Sequence, residues 1–270
     1  MASTLGIIEV PAQSGLSRPG LVSEGVGFAE RRIGGKPLLE WVIRRVTDSL
    51  LLDRVTVLFD PQQEKTLRPL APPDISVMVS HKPDALGRFA AACREFGASA
   101  VIRVRLDCPF VDPALIDRLV CIANAHPGCD YIGYSVDGGK PSIQSRLGVF
   151  AEWCQTQAIY QADATARSKP ERSEVTQFII SHSELFQLRL IPVPAQLEST
   201  DLRLTISGEE DWENAYTILE ALGPDDLDWQ TIARLLNHQP GLRQRMADLN
   251  LAERNPESNQ VDRPRAATNL

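Results

Sequence analysis

No run of this chain is apolar enough and long enough to cross a bilayer, so no membrane insertion is expected. A basic segment followed by a long apolar one is missing from its first residues, and the expectation is a cytoplasmic chain without a secretory signal. The five cysteines, Cys93, Cys108, Cys121, Cys129 and Cys154, make no C-x-x-C pair, which fits reduced thiols better than a disulfide framework or a thiolate metal site. The four histidines, His81, His126, His182 and His238, pair with no nucleophile, and no hydrolase triad is read from them. Surplus positive charge is missing too. The net charge of −7 argues against nonspecific binding to nucleic acid or to an anionic membrane. Neither the G-x-x-x-x-G-K-[ST] spacing of a P-loop nor the G-x-G-x-x-G of a dinucleotide fold occurs.

What is present is an alternation of branched apolar runs with amphipathic segments, the pattern of a three-layer, mostly parallel α/β sheet. The clearest unit is AVIRVRLDCPFVDPALIDRL, from Ala100 to Leu119. It reads as a strand, a tight loop at Asp107-Cys108-Pro109, and a helix with Asp112 as N-cap and Pro113 at its first position. Asp107 therefore falls at a strand end, the edge where open α/β sheets bind ligands. Strands are expected at 5–10, 54–59, 75–79, 100–106 and 130–134, and helices from Pro37 to Leu50, across 60–67, from Asp84 to Phe96 and from Pro113 to Ala125. Pro11 to Gly35 reads as a long glycine-rich loop.

The second half predicts a helix over 150–164, strands over 185–192 and 202–206, and helices over 209–222, 228–237 and 240–249. This gives an α/β domain over 1–222, a helical extension over 223–252, and a disordered tail over 253–270.

Four constellations carry candidate chemistry. The loop Gln13-Ser14-Gly15-Leu16-Ser17-Arg18-Pro19-Gly20 offers backbone N–H groups and a guanidinium to an anion, or is a plain surface loop. Asp107 is either a metal ligand or a loop carboxylate, and Asp112 is read as a helix cap. Arg88, in the first turn of a helix, either points to water or meets a ligand. Arg172 to Thr176 reads as a solvated turn, with Ser173 capping a short helix.

Taken in order, these residues resemble the cytidylyltransferase family, and within it the spore coat polysaccharide biosynthesis protein F branch, with CMP-KDO synthetases as more distant relatives. Ser17-Arg18 with Pro19-Gly20 is similar to S-x-R-L-P-G-K, and Ile33 to Trp41 to I-G-G-K-P-L-L-E-W. Asp84, Leu86 and Arg88 resemble D-x-L-x-R, and Arg103 with Asp107-Cys108-Pro109 resembles R-x-x-x-D-C-P. Arg172 to Thr176 resembles R-E-H-V-T, and Arg203-Leu204-Thr205 with Glu210-Asp211 resembles R-L-T-V-D-x-x-E-D.

The resemblance implies a nucleotide-diphospho-sugar transferase (GT-A-like) fold. It implies attack of a sugar oxygen on the α-phosphate of CTP with release of pyrophosphate, for surface polysaccharide synthesis. It implies Arg18 and Asp107 as catalytic residues, and Ser17, Arg18, Gly20, Lys36, Arg88 and Arg103 around the nucleotide. Mg2+ would sit on Asp107, with CTP or another nucleotide and a sugar as partners. A homodimer is expected by family analogy alone.

The departures fall on charged positions. Gln13 stands where the family has an arginine, Leu16 replaces the loop serine, and Leu21 replaces the lysine after Pro-Gly. Ser207 takes the place of the second acidic residue, Glu174 stands where a histidine is expected, and extra residues separate Gly20 from Gly34. A charge-assisted phosphate contact contributes about 1.5–3 kcal/mol, and about 1.4 kcal/mol is tenfold in rate. The ionic site is thus thinned while the apolar frame is kept. Arg31, Arg32 or Lys36 are candidates to replace the lost cations. Three readings stay open: an active nucleotidyltransferase, a catalytically impaired homologue that binds nucleotide or sugar or serves as a partner subunit, and an unrelated α/β enzyme.

Overall fold

The computed structural model describes residues 3–10, 25–136 and 139–254. Ser17, Arg18 and Gly20, with the phosphate loop expected from them, lie outside the described residues. Six consecutive buried residues form β1 (Thr4–Glu9). After it come α1 (Gly25–Glu30), a hairpin of β2 (Arg32–Ile33) and β3 (Lys36–Pro37), and α2 (Leu38–Thr47), whose apolar stripe from Leu38 to Val46 is buried. β4 (Arg54–Phe59), α3 (Glu64–Leu67) and β5 (Ser76–Val79) follow.

Asp84 opens α4 (Ala85–Phe96) by accepting the Gly87 N–H at 2.8 Å, and Gly97 closes it at φ 59°, a left-handed position that suits glycine. β6 (Ala100–Arg105) leads to α5 (Pro113–Ala125), capped by Asp112 through the Ala114 and Leu115 N–H groups. The remaining elements are β7 (Tyr131–Val136), β8 (Lys140–Pro141), β9 (Glu152–Gln155), α6 (Thr156–Thr165), α7 (Lys169–Ser173), α8 (Gln177–Ser181), β10 (Leu188–Pro192), α9 (Glu209–Leu222), α10 (Trp229–His238) and α11 (Pro240–Arg254).

The main sheet runs β10-β7-β9-β6-β1-β4-β5, with β8 beside β7. β5, β4, β1 and β6 are parallel, as are β7 and β10, while β9 lies antiparallel between β6 and β7. Alternate residues of β1 face opposite cores: Ile8 packs with α2, α5, α9, α10 and α11, and Leu5 and Ile7 pack with α4, α6 and α8. The expected three-layer, mostly parallel α/β architecture is therefore present. α4 joins the end of β5 to the start of the parallel β6, so its first turn lies at the carboxyl edge of the sheet. Among the described residues no helix is long and apolar enough to cross a membrane.

Several expectations are corrected. The stretch expected as loop up to Gly35 holds α1 and the first strand of a hairpin. The helix expected from Phe150 begins only at Thr156, because Glu152–Gln155 completes the ladder between β6 and β7. There consecutive residues from Phe150 to Cys154, Glu152 among them, are buried on both faces, which removes any helical periodicity. Residues 202–206 are not a strand. They make isolated bonds instead, from the Leu204 and Thr205 N–H groups to the Arg146 carbonyl and from the Ile206 N–H to the Asp107 carbonyl. Glu253 and Arg254 belong to α11 rather than to a tail. Ser173 caps no helix: it is the last residue of α7, which Ser168 opens in a capping box with Glu171, and α8 beyond it starts after Thr176.

Candidate functional site

Asp107 follows β6 at the carboxyl edge, and the loop after it is held by Trp41, whose Nε1 donates to the Pro109 carbonyl at 2.8 Å. Arg105 takes both oxygens of Asp107: its Nε donates to Oδ1 at 3.0 Å and its Nη2 to Oδ2. The third nitrogen, Nη1, donates to the Ile143 carbonyl at 3.0 Å. Arg105 stays charged, since the Asp107 carboxylate raises its pKa and outweighs burial. Burial, then the neighbouring Asp107 charge, pushes the Cys108 thiol up, so it is no thiolate nucleophile.

Two strand residues earlier, on the same face as Arg105, Arg103 is buried and gripped by three carboxylates. Nε donates to Glu9 Oε2 at 2.8 Å, Nη1 to Glu152 Oε1 at 2.8 Å, and Nη2 to Glu174 Oε2 at 3.0 Å. Sheet register explains the first two, because Arg103 pairs with Glu152 on β9 and Glu9 closes the adjoining strand. Tyr131 Oη and Thr176 Oγ1 complete the shell of Glu152 at 2.8 and 2.9 Å. Burial alone would lower the Arg103 guanidinium, but the charges of Glu9, Glu152 and Glu174 raise it well above its usual value.

Arg88 is placed otherwise. It is 6% exposed in the first turn of α4, so most of the side chain is packed away from water. Asp84, the nearest carboxylate along the chain, is taken by Arg172, whose Nε donates to Oδ2 at 3.0 Å. Arg172 also binds Asp163 at 2.8 Å, which makes 172–176 a tethered segment and not a solvated turn. Among the described residues Arg88 has no ion-pair or side-chain hydrogen-bond partner. A buried cation without a counter-ion at a helix amino end is prepared for an anion.

The candidate replacement cations are accounted for separately. Lys36 is exposed on the hairpin. Arg31 pairs with Glu209 at 2.7 Å and lies 4.3 Å above the Trp212 ring, while Arg32 donates to the Gly35 carbonyl at 2.6 Å.

Arg146, which the sequence did not single out, donates through Nη1 to Ser207 Oγ at 2.8 Å and through Nε to Glu253 at 3.0 Å. Arg203 holds Asp211 with two bonds, 2.6 and 3.0 Å, and reaches Glu253 at 2.7 Å. The Glu253 carboxyl, which burial would raise, is held down at about 2 by Arg146 and Arg203. Gly148 makes this packing feasible. Its φ is 63°, and a Cβ there would sit 2.5 Å from the Leu204 carbonyl carbon. Ser142 Oγ and Thr205 Oγ1, in the same two segments, are buried without a hydrogen-bond partner.

These residues do not fit a divalent cation. Asp107 has both oxygens in an ion pair, Ser207 has a guanidinium on its hydroxyl, and among the described residues no three His, Cys, Asp or Glu side chains converge. The magnesium site expected on Asp107 is thus not supported by its donor set. Sequence reasoning missed Arg105 and Arg146 because Arg105 falls on an unspecified position of R-x-x-x-D-C-P and Arg146 lies in none of the family motifs. The R-x-D spacing, which puts both side chains on one side of an extended chain, was the available signal for Arg105.

Comparison with known proteins agrees with this fold. The spore coat polysaccharide biosynthesis protein SpsF of Bacillus subtilis is 25% identical over 222 residues, covering 79% of this chain and 89% of that protein. A 3-deoxy-manno-octulosonate cytidylyltransferase of Bdellovibrio bacteriovorus is 26% identical over 127 residues, 47% of this chain and 51% of that enzyme. Among solved structures, a cytidylyltransferase from Leptospira borgpetersenii superposes with a TM-score of 0.73 at 17% identity, covering 90% of this chain and 96% of its own. CMP:2-keto-3-deoxy-manno-octonic acid synthetase, complexed with CTP, gives 0.58 at 12% identity, covering 82% and 99%. Rv0371c of Mycobacterium tuberculosis, solved as a manganese complex, gives 0.55 at 12% identity, covering 80% and 99%. The model of the MobA-like NTP transferase domain matches residues 29–191, well over half of the sequence. This chain, with its parallel sheet and cation-lined carboxyl edge, belongs to the MobA-like NTP transferase domain family.

Proposed function

We propose that this chain binds CTP at the carboxyl edge of β1 and β6 and, as its relatives' names indicate for them, serves the transfer of CMP to a sugar for surface polysaccharide synthesis. The observation that carries the reading is Arg88, a buried guanidinium with no counter-ion among the described residues, at the amino end of a twelve-residue helix. Nucleotidyl transfer needs positive charge at the phosphates more than a covalent nucleophile. Arg88 neutralises a phosphate, and Ser17, Arg18, Gly20 and Lys36 are assigned to the rest of the triphosphate on the strength of the resemblance. Arg103 acts by holding Glu9, Glu152 and Glu174 and so fixing β1, β9 and the 174–176 segment relative to one another. Asp107 orients Arg105. No step is routed through a metal.

The alternative, a homologue that binds nucleotide with little turnover, draws on Ser207 and on the engagement of Asp107 by Arg105. Calorimetric titration with CTP tests binding, and pyrophosphate release with CTP and a panel of acidic sugars tests transfer. Arg88→Met should weaken CTP binding by about tenfold or more, the loss of one charge-assisted contact. The same variant should melt no lower than the parent, because it removes an unpaired buried charge. Unchanged affinity in Arg88→Met would sink the assignment. Binding without pyrophosphate release with any sugar would select the alternative. Sedimentation would test the homodimer expected from the resemblance.

A further inference from the structure

The two positions at which the resemblance implies metal-binding carboxylates, Asp107 and Ser207, each carry a guanidinium instead. Arg105 lies on Asp107 and on the Ile143 carbonyl. Arg146, three residues beyond Ile143, lies on Ser207. The Ile206 N–H donates to the Asp107 carbonyl at 2.9 Å, so both guanidiniums belong to one patch made by 105–107, 143–146 and 204–207. Gly148, pressed on Leu204, fixes that patch through the backbone. We propose that this chain binds its nucleoside triphosphate without a divalent cation, Arg105 and Arg146 supplying the positive charge that a metal would bring. The proposal rests on the nucleotide-binding reading above.

Charge and donor geometry both support it. Two guanidiniums carry the same formal charge as one divalent ion, and Asp107 and Glu253 balance them as two carboxylate ligands would balance that ion. The guanidiniums carry that charge permanently, without the cost of stripping water from a hard cation. Each has five N–H donors. Three nitrogens of Arg105 bond Asp107 and Ile143, and three of Arg146 bond Ser207 and Glu253, one bond apiece. Each fork therefore keeps unused N–H groups that can donate to a phosphate oxygen without breaking the pairs already made. Both side chains are reachable from solvent, at 28% and 20% exposure. An arriving cation meets the opposite situation: the Asp107 carboxylate at the strand end is already matched by Arg105, and the Ser207 hydroxyl already accepts from Arg146, itself paired with Glu253.

The experiment is calorimetric titration of the full chain with CTP, once with magnesium chloride and once with EDTA. Equal affinity in the two buffers is expected. In EDTA, Arg105→Gln together with Arg146→Gln should weaken CTP binding by about tenfold or more, on the scale of two charge-assisted contacts. Arg105→Lys, which keeps the charge and loses the fork, should fall between. Circular dichroism melting of each variant separates lost binding from lost folding. If a Gln variant is unfolded, the Arg105→Lys result decides. The reverse double variant, Arg105→Gln with Ser207→Asp, should bind CTP more tightly in magnesium than in EDTA. Affinity of the parent chain that falls about tenfold in EDTA overturns the proposal and leaves the nucleotide reading standing. Folded Gln variants that bind in EDTA like the parent also overturn it. No CTP binding in either buffer overturns both.

Discussion

Arg105 grips both carboxylate oxygens of Asp107, two residues further along the same strand end. This pairing converts a position that invites a metal into one whose charge is already matched. Asp107→Asn keeps the shape and removes the charge. CTP affinity should hold or rise, because Arg105 is released toward phosphate, while stability falls by about 1–3 kcal/mol from the weakened bond. Titration calorimetry and urea denaturation read the two effects. A loss of affinity confined to magnesium buffer would mean that Asp107 does hold a metal.

Arg103→Met leaves Glu9 and Glu152 buried without their counter-ion. Removing one partner of a buried ion pair costs about 3–5 kcal/mol. The urea midpoint should drop accordingly. Glu174→Gln should cost far less, since Glu174 is 60% exposed.

Gly148→Ala should destabilise by about 1–3 kcal/mol or more from the left-handed φ alone, with the further clash against the Leu204 carbonyl. Thermal melting measures it. The same change should weaken CTP binding, because Arg146 and the 203–207 segment are placed through that contact.

Glu253 predicts a pH window. Its carboxyl is depressed to about 2 from the usual glutamate value of 4.5. A depressed carboxyl contributes stability that is fully present above its unfolded value and is lost as pH falls through the folded one. The stability difference between the parent and Glu253→Gln should therefore be constant at neutral pH and shrink between about pH 4.5 and pH 2. With 37% of the side chain exposed, solvent screening keeps that difference small. Denaturation curves across the window check the sign.

Much of the frame is legible in the sequence. The caps Asp84 and Asp112, the terminator Gly97 and the strand-loop-helix at Ala100 to Leu119 depend on neighbours within a few residues, and local chemistry places them correctly. β9 is misread because Glu152 only makes sense as a strand residue once Arg103 stands opposite it, forty-nine residues away in sequence. The 202–206 segment has the composition of a strand but finds no free ladder to join. It spends its N–H groups on the Arg146 and Asp107 carbonyls instead. Family resemblance points to Arg88, Arg103 and Asp107 alike, and the fold separates them into a guanidinium without a partner among the described residues, a buried charge anchor and a matched pair.

The order of the apolar runs and their capping residues determined the layered α/β architecture, because helix and strand periods are written in nearest neighbours. Which arginine is paired, and with what, was decided only by the tertiary structure. Charges separated by up to 178 residues, such as Arg31 and Glu209, settle against one another when the chain closes, and those pairings have no local signature.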